Sequence, residues 1–580
     1  MAGVSEDQKD PRSEAGHGAR GARVVRGALA ALSGLIAGLV ALCVAELVSA
    51  AVRPEAGPVT AVGGAVIDRT PAPVKDFAVR NFGNDDKLVL QLGILALLAV
   101  FAMAVGVASL RYRKVASAAV LVFGAIGALA AVERPDGRLS DALPSVVGGL
   151  TACAVLYLLA GRLAFRPSPH GDRGTDGTTE DTNGTENAAA SVDAQSPDAA
   201  SVDAESVDAV TAGTDPGTFD RRGFVIAATA AAAASAGAGL LGRRLNASGA
   251  AEAAASRRTI VLPAPSSPAR PVPAGADLKV RGLSSFTTPN KDFYRVDTAL
   301  VVPRVDAGSW RLRIHGKGVT RPLTVDFQDL LQRKLIERDI TLTCVSNEVG
   351  GPYVGNARWI GVPLADLLRE AGVEPPSKGG RADQLVSRSV DGMTIGTPVE
   401  AVMDGRDAIL AVGMNGEPLP FDHGFPVRMV VPGLYGYVSA CKWLEDLELT
   451  TFADYDAYWV KRDWSREAPI KTQSRIDTPR PFASPKAGTV PVAGVAWAQH
   501  RGIERVEVRV DGGEWNPAKL AAEDSEDTWR QWMWEWPATS GSHTLEVRAT
   551  DRDGDTQTDK RVGTVPNGAT GWHSVVVAVD

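Results

Sequence analysis

Cys344 closes the extended run Thr341-Leu342-Thr343 and is followed by Val345-Ser346-Asn347-Glu348-Val349-Gly350-Gly351-Pro352. A β-type run that ends in a thiol and opens into a glycine-rich turn can hold a thiolate still with one side open to a metal, a cofactor or a substrate. The same pattern also fits a buried core cysteine, so the neighbouring segments have to discriminate. A nucleophilic cysteine would need a base, and neither His315 nor His423 has local context for that role.

Several segments accompany the cysteine in order. Asn290-Lys291-Asp292-Phe293-Tyr294-Arg295 precedes Trp310-Arg311-Leu312-Arg313-Ile314-His315-Gly316, and Gly355-Asn356-Ala357-Arg358-Trp359 follows the cysteine block. Then come Met414-Asn415-Gly416-Glu417-Pro418-Leu419-Pro420, Asp422-His423-Gly424-Phe425-Pro426-Val427-Arg428, Val431-Pro432-Gly433 and Cys441-Lys442-Trp443. Over roughly residues 280–580 this series resembles the sulfite oxidase family of molybdenum enzymes. The resemblance implies Mo-molybdopterin as cofactor, with Cys344 as both metal ligand and catalytic residue. It implies a cofactor-binding set of Asn290, Tyr294, Arg295, Asp391, His423, Arg428, Ala440, Cys441 and Lys442, and a C-terminal sandwich that packs against another subunit as a homodimer. The chemistry fits: soft thiolate suits a polarizable metal, Arg428, Lys442 and Arg295 offer fixed charge to a phosphate, and His423 beside Gly424 can present a ring N–H at close approach.

The match departs from the family next to the cysteine. No arginine follows Cys344 until Arg358, and Glu348 would repel sulfite if it faced the pocket. Tyr294-Arg295 stands where the bacterial periplasmic branch, related to the methionine sulfoxide reductase catalytic subunit, has Tyr-Glu. The metal is therefore better specified than the reaction.

The elements that must position these residues divide the chain. Residues 281–455 mix short strands (Trp310–His315, Asp339–Thr343, Gln384–Ser387, Val427–Val431, Leu447–Thr451) with short helices at Phe327–Arg333 and Pro363–Ala371, an α+β, mostly antiparallel domain. Residues 456–580 carry five strand-like runs from about Ile470 onward, with alternation in Val506-Glu507-Val508-Arg509-Val510, and read as an immunoglobulin-like β-sandwich without a cysteine pair. Its tryptophans at 497, 515, 529, 532, 534, 536 and 572 read as core and inter-domain packing rather than a stacking surface.

The first third is different in kind. Gly27–Val52, Leu88–Leu110, Val115–Val132 and Val146–Ala164 are each roughly long enough to cross a ~30 Å hydrocarbon core as a helix. Residues 1–166 therefore read as an all-α bundle of four transmembrane helices. Arginine and lysine flank alternate ends, which places the N-terminus inside. Residues 167–219 are acidic and poor in apolar side chains, a disordered linker. Residues 220–244 open with Arg221-Arg222-Gly223-Phe224 and an Ala/Gly-rich apolar run, readable as a twin-arginine export signal or as a fifth membrane helix. Residues 245–280, rich in Pro, Ala and Ser, read as a tether.

With four cysteines, two of them (Cys43, Cys153) in membrane spans, a disulfide framework is excluded. None of the seven histidines lies in a span, so a bis-histidine haem there is excluded. Glu46 lies inside the first span and is either a proton or quinone site or a side chain reaching the interface. The expectation is a multi-pass cell-membrane oxidoreductase with an extracytoplasmic catalytic domain, acting on a small molecule and exchanging electrons with a separate partner, a quinone or a cytochrome. No nucleic-acid partner is expected. The rival reading is a cofactor-free surface-binding module on a degenerate molybdopterin scaffold.

Overall fold

The computed structural model describes residues 11–71, 74, 82, 86–134, 137–163 and 220–580. The segment read as a disordered linker lies outside them. The chain forms two compact units, one from Met1–Val40, Leu98–Val122 and Leu150–Ser235, the other from Ala41–Leu97, Phe123–Gly149 and Ala236–Asp580.

The helical region comprises α1 (Pro11–Val52), α2 (Pro58–Arg69), α3 (Asp86–Ser109), α4 (Arg113–Val132), α5 (Leu143–Leu163) and α6 (Arg221–Thr259). Among the described residues, five stretches in it are long and apolar enough to cross a membrane, the fifth being Arg222–Thr259. In the first unit, a Cβ on Gly34 would lie 1.9 Å from the Ala102 carbonyl oxygen, so glycine sets the close helix approach there. In the second unit, Gly242 of α6 sits against the Leu47 backbone, 2.8 Å from its nitrogen by the same measure, and Asn246 Nδ2 donates to Glu46 Oε1 at 2.8 Å. Glu46 thus has an interhelical partner. The short α2 lies in the connection between the first two apolar runs.

The segment read as a tether is ordered. Helix α6 continues through Thr259 because Ala247–Ala255 is dominated by alanine, the strongest helix former. Its end is fixed by Arg257, which donates from Nε to Leu419 O (2.8 Å) and from NH2 to Pro418 O (2.6 Å). Beyond it the proline-rich chain runs along the soluble domain, with Ser266 N on Leu335 O (2.8 Å) and Leu278 N on Gln531 Oε1 (2.6 Å).

The soluble strands are β1 (Arg311–Gly316), β2 (Leu323–Asp326), β3 (Ile336–Thr343), β4 (Val354–Pro363), β5 (Gln384–Ser389), β6 (Thr394–Pro398), β7 (Ile409–Met414), β8 (Glu417–Pro418), β9 (Arg428–Val430) and β10 (Leu444–Thr450), with helices α7 (Phe327–Leu331), α8 (Leu364–Glu370), α9 (Val399–Met403) and α10 (Gly436–Ser439). One sheet runs β2-β1-β10-β5-β6, with β1 and β10 parallel; the other is antiparallel, β3-β4-β7-β8, with β9 on β7. Strand β9 is shorter than the sequence suggests, and β3 starts earlier, at Ile336, where it pairs with Gly361. Trp359, Phe425, Leu410 and Val412 fill the shared core with almost no exposed surface, and burying such side chains is the main stabilising term.

The C-terminal region has two four-stranded antiparallel sheets around one core. In chain order the strands are β11 (Gln473–Thr478), β12 (Gly488–Trp497), β13 (Ile503–Val510), β14 (Asn516–Pro517), β15 (Lys519–Leu520), β16 (Arg530–Ala538), β17 (Gly541–Asp551) and β18 (His573–Val579). The sheets run β11-β12-β16-β15 and β14-β13-β17-β18. Val506, Val508, Leu545, Val547 and Trp532 point into the core, as alternation requires.

Candidate cofactor site

Strand β3 lies at the edge of its sheet, paired with β4, yet is buried along its last five residues, so the following cysteine is delivered into the interior. Cys344 N donates to Tyr353 O (3.0 Å) and Asn347 N donates to Cys344 O (3.0 Å), folding the chain back over the thiol. Burial pushes the thiol pKa up, against two hydrogen bonds from Ser346 and the charge of Lys442. Asn347 accepts from Tyr353 N at 2.8 Å through Oδ1, while its buried Nδ2 has no partner. Glu348 is exposed, so the acid that would repel an anion turns to the surface.

Residues of the C-terminal region hold this turn. Arg475 donates to Gly351 O at 2.8 Å. Gly350 has φ +79°, and a Cβ there would stand 2.1 Å from His573 Cδ2, so only glycine fits. Burial pushes the His573 ring down to about 4, and its Nδ1 accepts from Ile476 N at 3.0 Å.

Arg428 begins β9. It is buried, its guanidinium lies 4.9 Å over the Trp359 ring, and NH1 donates to His423 O at 3.2 Å. Its Nε has no partner. Desolvation lowers its pKa to about 10. Tyr294 feels both the Cys344 thiol and the Arg428 charge, which ties the two expected residues to one locality; burial dominates and pushes its phenol far up. Gly424, at φ +105°, lets the backbone pass between Arg428 and Lys442: a Cβ would meet their Cβ atoms at 3.1 and 3.0 Å.

His423 is held by a backbone carbonyl. Its Nε2 lies 2.9 Å from Asn290 O, so that nitrogen carries the proton and donates to the carbonyl. Burial lowers the ring to about 4, and the neutral ring offers only Nδ1, an acceptor. Asn290 is itself engaged, donating to Glu417 Oε1 (2.6 Å) and accepting from Asn415 (2.8 Å). Both residues are held in this hydrogen-bond network.

Lys442 Nζ donates to Asp297 Oδ2 at 2.6 Å and lies 4.6 Å from the Trp443 ring. Burial lowers its pKa to about 8. Asp297 also accepts from Arg295 (2.8 Å) and pairs with Lys87 of α3, whose Nζ donates to Ala299 O at 2.8 Å as well. Despite desolvation, these three cations hold the Asp297 carboxyl far below the usual range. Arg295 also reaches Asp422 at 3.3 Å.

Among the other expected residues, Cys441 is buried, with its thiol pushed far up by desolvation, and Cys441 O accepts from Met429 N. Ala440 ends α10, its N–H on Gly436 O. Asp391 accepts from Met393 N at 3.3 Å and lines a cavity of about 60 Å³ with Thr298, Tyr458, Asp68, Arg134 and Glu55. Asp297, Lys87 and Asn347 were not among the expected site residues. Asp297 stands two places after Arg295, a signal that could have been used; nothing in the sequence marks Lys87.

A phosphate-bearing, metal-binding organic cofactor fits these residues. A buried guanidinium with an unpartnered nitrogen, a buried amide with an unpartnered nitrogen and a glycine passage between two cations are costly features without an anionic, hydrogen-bonding occupant. The buried thiol is the soft donor such a metal requires.

Comparison with known proteins agrees. Residues 299–459 match the family described as oxidoreductase molybdopterin binding domain. The chain is 30% identical over 307 residues to human mitochondrial sulfite oxidase, covering 45% of this chain and 55% of that protein. It is 33% identical over 289 residues to sulfite oxidase of Gallus gallus, covering 43% and 62%. The chain thus spans a little over half the length of these relatives. Among solved structures, the sulfane dehydrogenase SoxCD from Paracoccus pantotrophus aligns with 24% identity and a TM-score of 0.44, covering 51% of this chain and 84% of that one.

Proposed function

We propose, from the premise that the soluble portion of this chain belongs to the sulfite oxidase family of molybdopterin-dependent oxidoreductases, that the protein is a membrane-anchored enzyme transferring an oxygen atom to or from a small sulfoxide or sulfur oxyanion. The observation that carries the reading is the buried Arg428, whose guanidinium keeps an unpartnered nitrogen, next to Tyr294, which also feels the buried Cys344 thiol after β3. When bound, the molybdenum–pterin group supplies two-electron oxygen-atom transfer. The chain's own part is to ligate through Cys344, to fix phosphate charge with Arg428 and Lys442, and to brace the cradle with His423, Asn290 and Tyr294. Asp391, Ala440, Cys441 and Arg295 complete the proposed cofactor-binding set.

Five apolar helices support membrane anchoring, and they make α6 an anchoring helix whether or not its paired arginines direct export. The basic flanks assign the connections after α1 and α4 to the same side as the catalytic domain, outside the cytoplasm. Their contacts with that domain support the assignment: Asp68 of α2 pairs with Arg462 at 3.4 Å, and Lys87 with Asp297. The two-sheet C-terminal region is read as immunoglobulin-like and as the dimerisation surface. Electrons pass to or from a separate partner, a quinone or a cytochrome.

The test uses the full chain made in a cofactor-competent host. Near-stoichiometric molybdenum and pterin are expected, with turnover in a screen of S-oxides against a reduced dye or in sulfite oxidation. Cys344→Ser should keep much of the pterin and lose turnover. Protein without molybdenum would sink the enzyme reading in favour of a surface-binding module, and wild-type turnover in the serine variant would refute the ligand assignment.

A further inference from the structure

Helix α2 is the outer wall of a cavity whose inner walls belong to the molybdopterin-binding domain. Thr60, Gly64, Ile67 and Asp68 share one face of α2 by helical spacing and line a space of about 60 Å³. The inner walls are the segment 298–303 and the turn at 390–393 between β5 and β6, together with Tyr458. Both walls hold the segment that bears Lys442. Val390 N donates to Trp443 O at 2.9 Å, and Asp297, next to Thr298, accepts from Lys442 Nζ at 2.6 Å. The Asp391 charge also acts on the Cys441 thiol. The cavity therefore adjoins the residues proposed to hold the cofactor.

The outer wall is fixed in place. A Cβ on Gly63 would lie 2.7 Å from Leu300 Cδ1, so glycine lets α2 rest on the 298–303 segment. Asp68 accepts from the Tyr458 hydroxyl and pairs with Arg462 at 3.4 Å, while the Arg462 guanidinium lies 3.5 Å from the centre of the Tyr458 ring. Gly64 differs from its neighbour, because a Cβ there would meet nothing within 4 Å. It faces the open space.

Size and polarity limit what that space accepts. Its volume is about that of two liquid waters and well below the roughly 150 Å³ that takes a benzene ring. Leu300, Val301, Pro303, Val390 and Met393 make the inner walls largely apolar, and the charged side chain on them, Asp391, is an acid. An oxyanion brought there loses hydration and meets a like charge, whereas an uncharged S-oxide has only its oxygen to satisfy.

We infer that this cavity is the approach to the cofactor and that Gly64 and Ile67 of α2 determine specificity, admitting small uncharged S-oxides and holding back sulfur oxyanions and aryl sulfoxides. The inference rests on the oxidoreductase reading above and narrows its substrate class. The net step breaks the S–O bond. Sulfur takes up two electrons, from the quinol or reduced cytochrome named above and in the assay from a reduced dye, and the oxygen leaves with two protons as water.

The experiment uses the purified full chain, assayed for pterin and molybdenum and for turnover of dimethyl sulfoxide, methyl phenyl sulfoxide and sulfite. Wild type should turn over dimethyl sulfoxide best. Gly64→Leu places a good helix former where the cavity has room, so cofactor content should stay unchanged while kcat/KM for dimethyl sulfoxide falls about tenfold or more. Ile67→Ala widens the same space and should shift the ratio of kcat/KM values about tenfold toward methyl phenyl sulfoxide. A helix that only braces the domain would not move that preference. Wild-type kcat/KM in Gly64→Leu, an unchanged ratio in Ile67→Ala, or sulfite turnover without S-oxide turnover in the wild type would each overturn the inference. Ile67→Ala decides by the same ratio if Gly64→Leu unseats α2. Wild-type protein without any pterin would instead overturn the function on which the inference rests.

Discussion

Arginine lies over tryptophan in two parts of this molecule, with opposite meaning. In the C-terminal region Arg509 lies 4.7 and 4.6 Å from the Trp515 and Trp572 rings, and Arg548 lies 4.3 Å from Trp515. Each also has a carboxylate directly across the strand pair, Arg509 on Glu546 at 2.7 Å and Arg548 on Glu507 at 2.9 Å, in the β13–β17 register. These are self-contained, half-exposed pairs that stabilise a sheet surface and ask for no ligand. Arg428 over Trp359 is buried, has no carboxylate within ion-pair distance among the described residues, and leaves Nε unpartnered. An uncompensated buried charge is expensive, so its retention marks a ligand site better than the ring contact does.

Replacing Arg428 with Met should therefore have the largest effect, and one of opposite sign on two measurements. Removing a buried, unpaired cation for an apolar side chain of similar length should leave the cofactor-free protein as stable or raise it by about 1–4 kcal/mol. Cofactor content should fall by tenfold or more, because charge-assisted hydrogen bonds to the phosphate are lost. Denaturant unfolding and pterin assay of the same preparation would check both. A destabilised protein with normal cofactor content would make Arg428 a structural arginine and erase the contrast with Arg509.

The second effect is a pH dependence confined to the cofactor region. The buried His423 ring has its pKa lowered from 6.5 to about 4. The folded ring stays neutral while the unfolded ring takes up a proton across that window. Its contribution is thus fully present above pH 6.5 and is lost as pH falls toward 4, amounting to about 3 kcal/mol by linkage. His573 titrates in the same window, so the measurement is the difference between wild type and His423→Gln, made on cofactor-free protein. Parallel stability curves for the two between pH 7 and 4 would show that burial of His423 is not what its neighbours maintain.

How far the sequence carried these conclusions depended on the range of each contact. Cys344, Arg428 and Lys442 stand out as candidates because each sits in a short segment whose residue types are chemically specific, and the two-sheet strands were legible because alternation is a local pattern. The partner of the His423 ring was not legible, since Asn290 O lies 133 residues earlier. Asp297 and Lys87 were missed for the same reason, an ion pair between the start of an apolar helix and a loop far along the chain. The segment after Arg244 was read from its prolines, whereas its alanines decide the helix as far as Thr259. Tryptophans 497, 529, 532 and 536 are buried as expected, while Trp515 and Trp572 form the arginine-clasped pair at the surface.

The smallest effect completes the contrast. Arg509→Met removes a cation from a tryptophan pair and one ion pair to Glu546, both partly solvated, and exposed pairs of this kind contribute about 0.2–1 kcal/mol. Cross-strand register between β13 and β17 is carried by Val506, Val508, Leu545 and Val547 in the core, so it should survive the substitution. The expected outcome is a small loss in unfolding free energy that shrinks further in high salt, with pterin and molybdenum content unchanged. A loss of cofactor in Arg509→Met comparable with that in Arg428→Met would mean that the sandwich communicates with the cradle through more than the clasp of Arg475 and His573 on Gly350 and Gly351. Exposure and pairing would then no longer separate a ligand-binding arginine from a structural one.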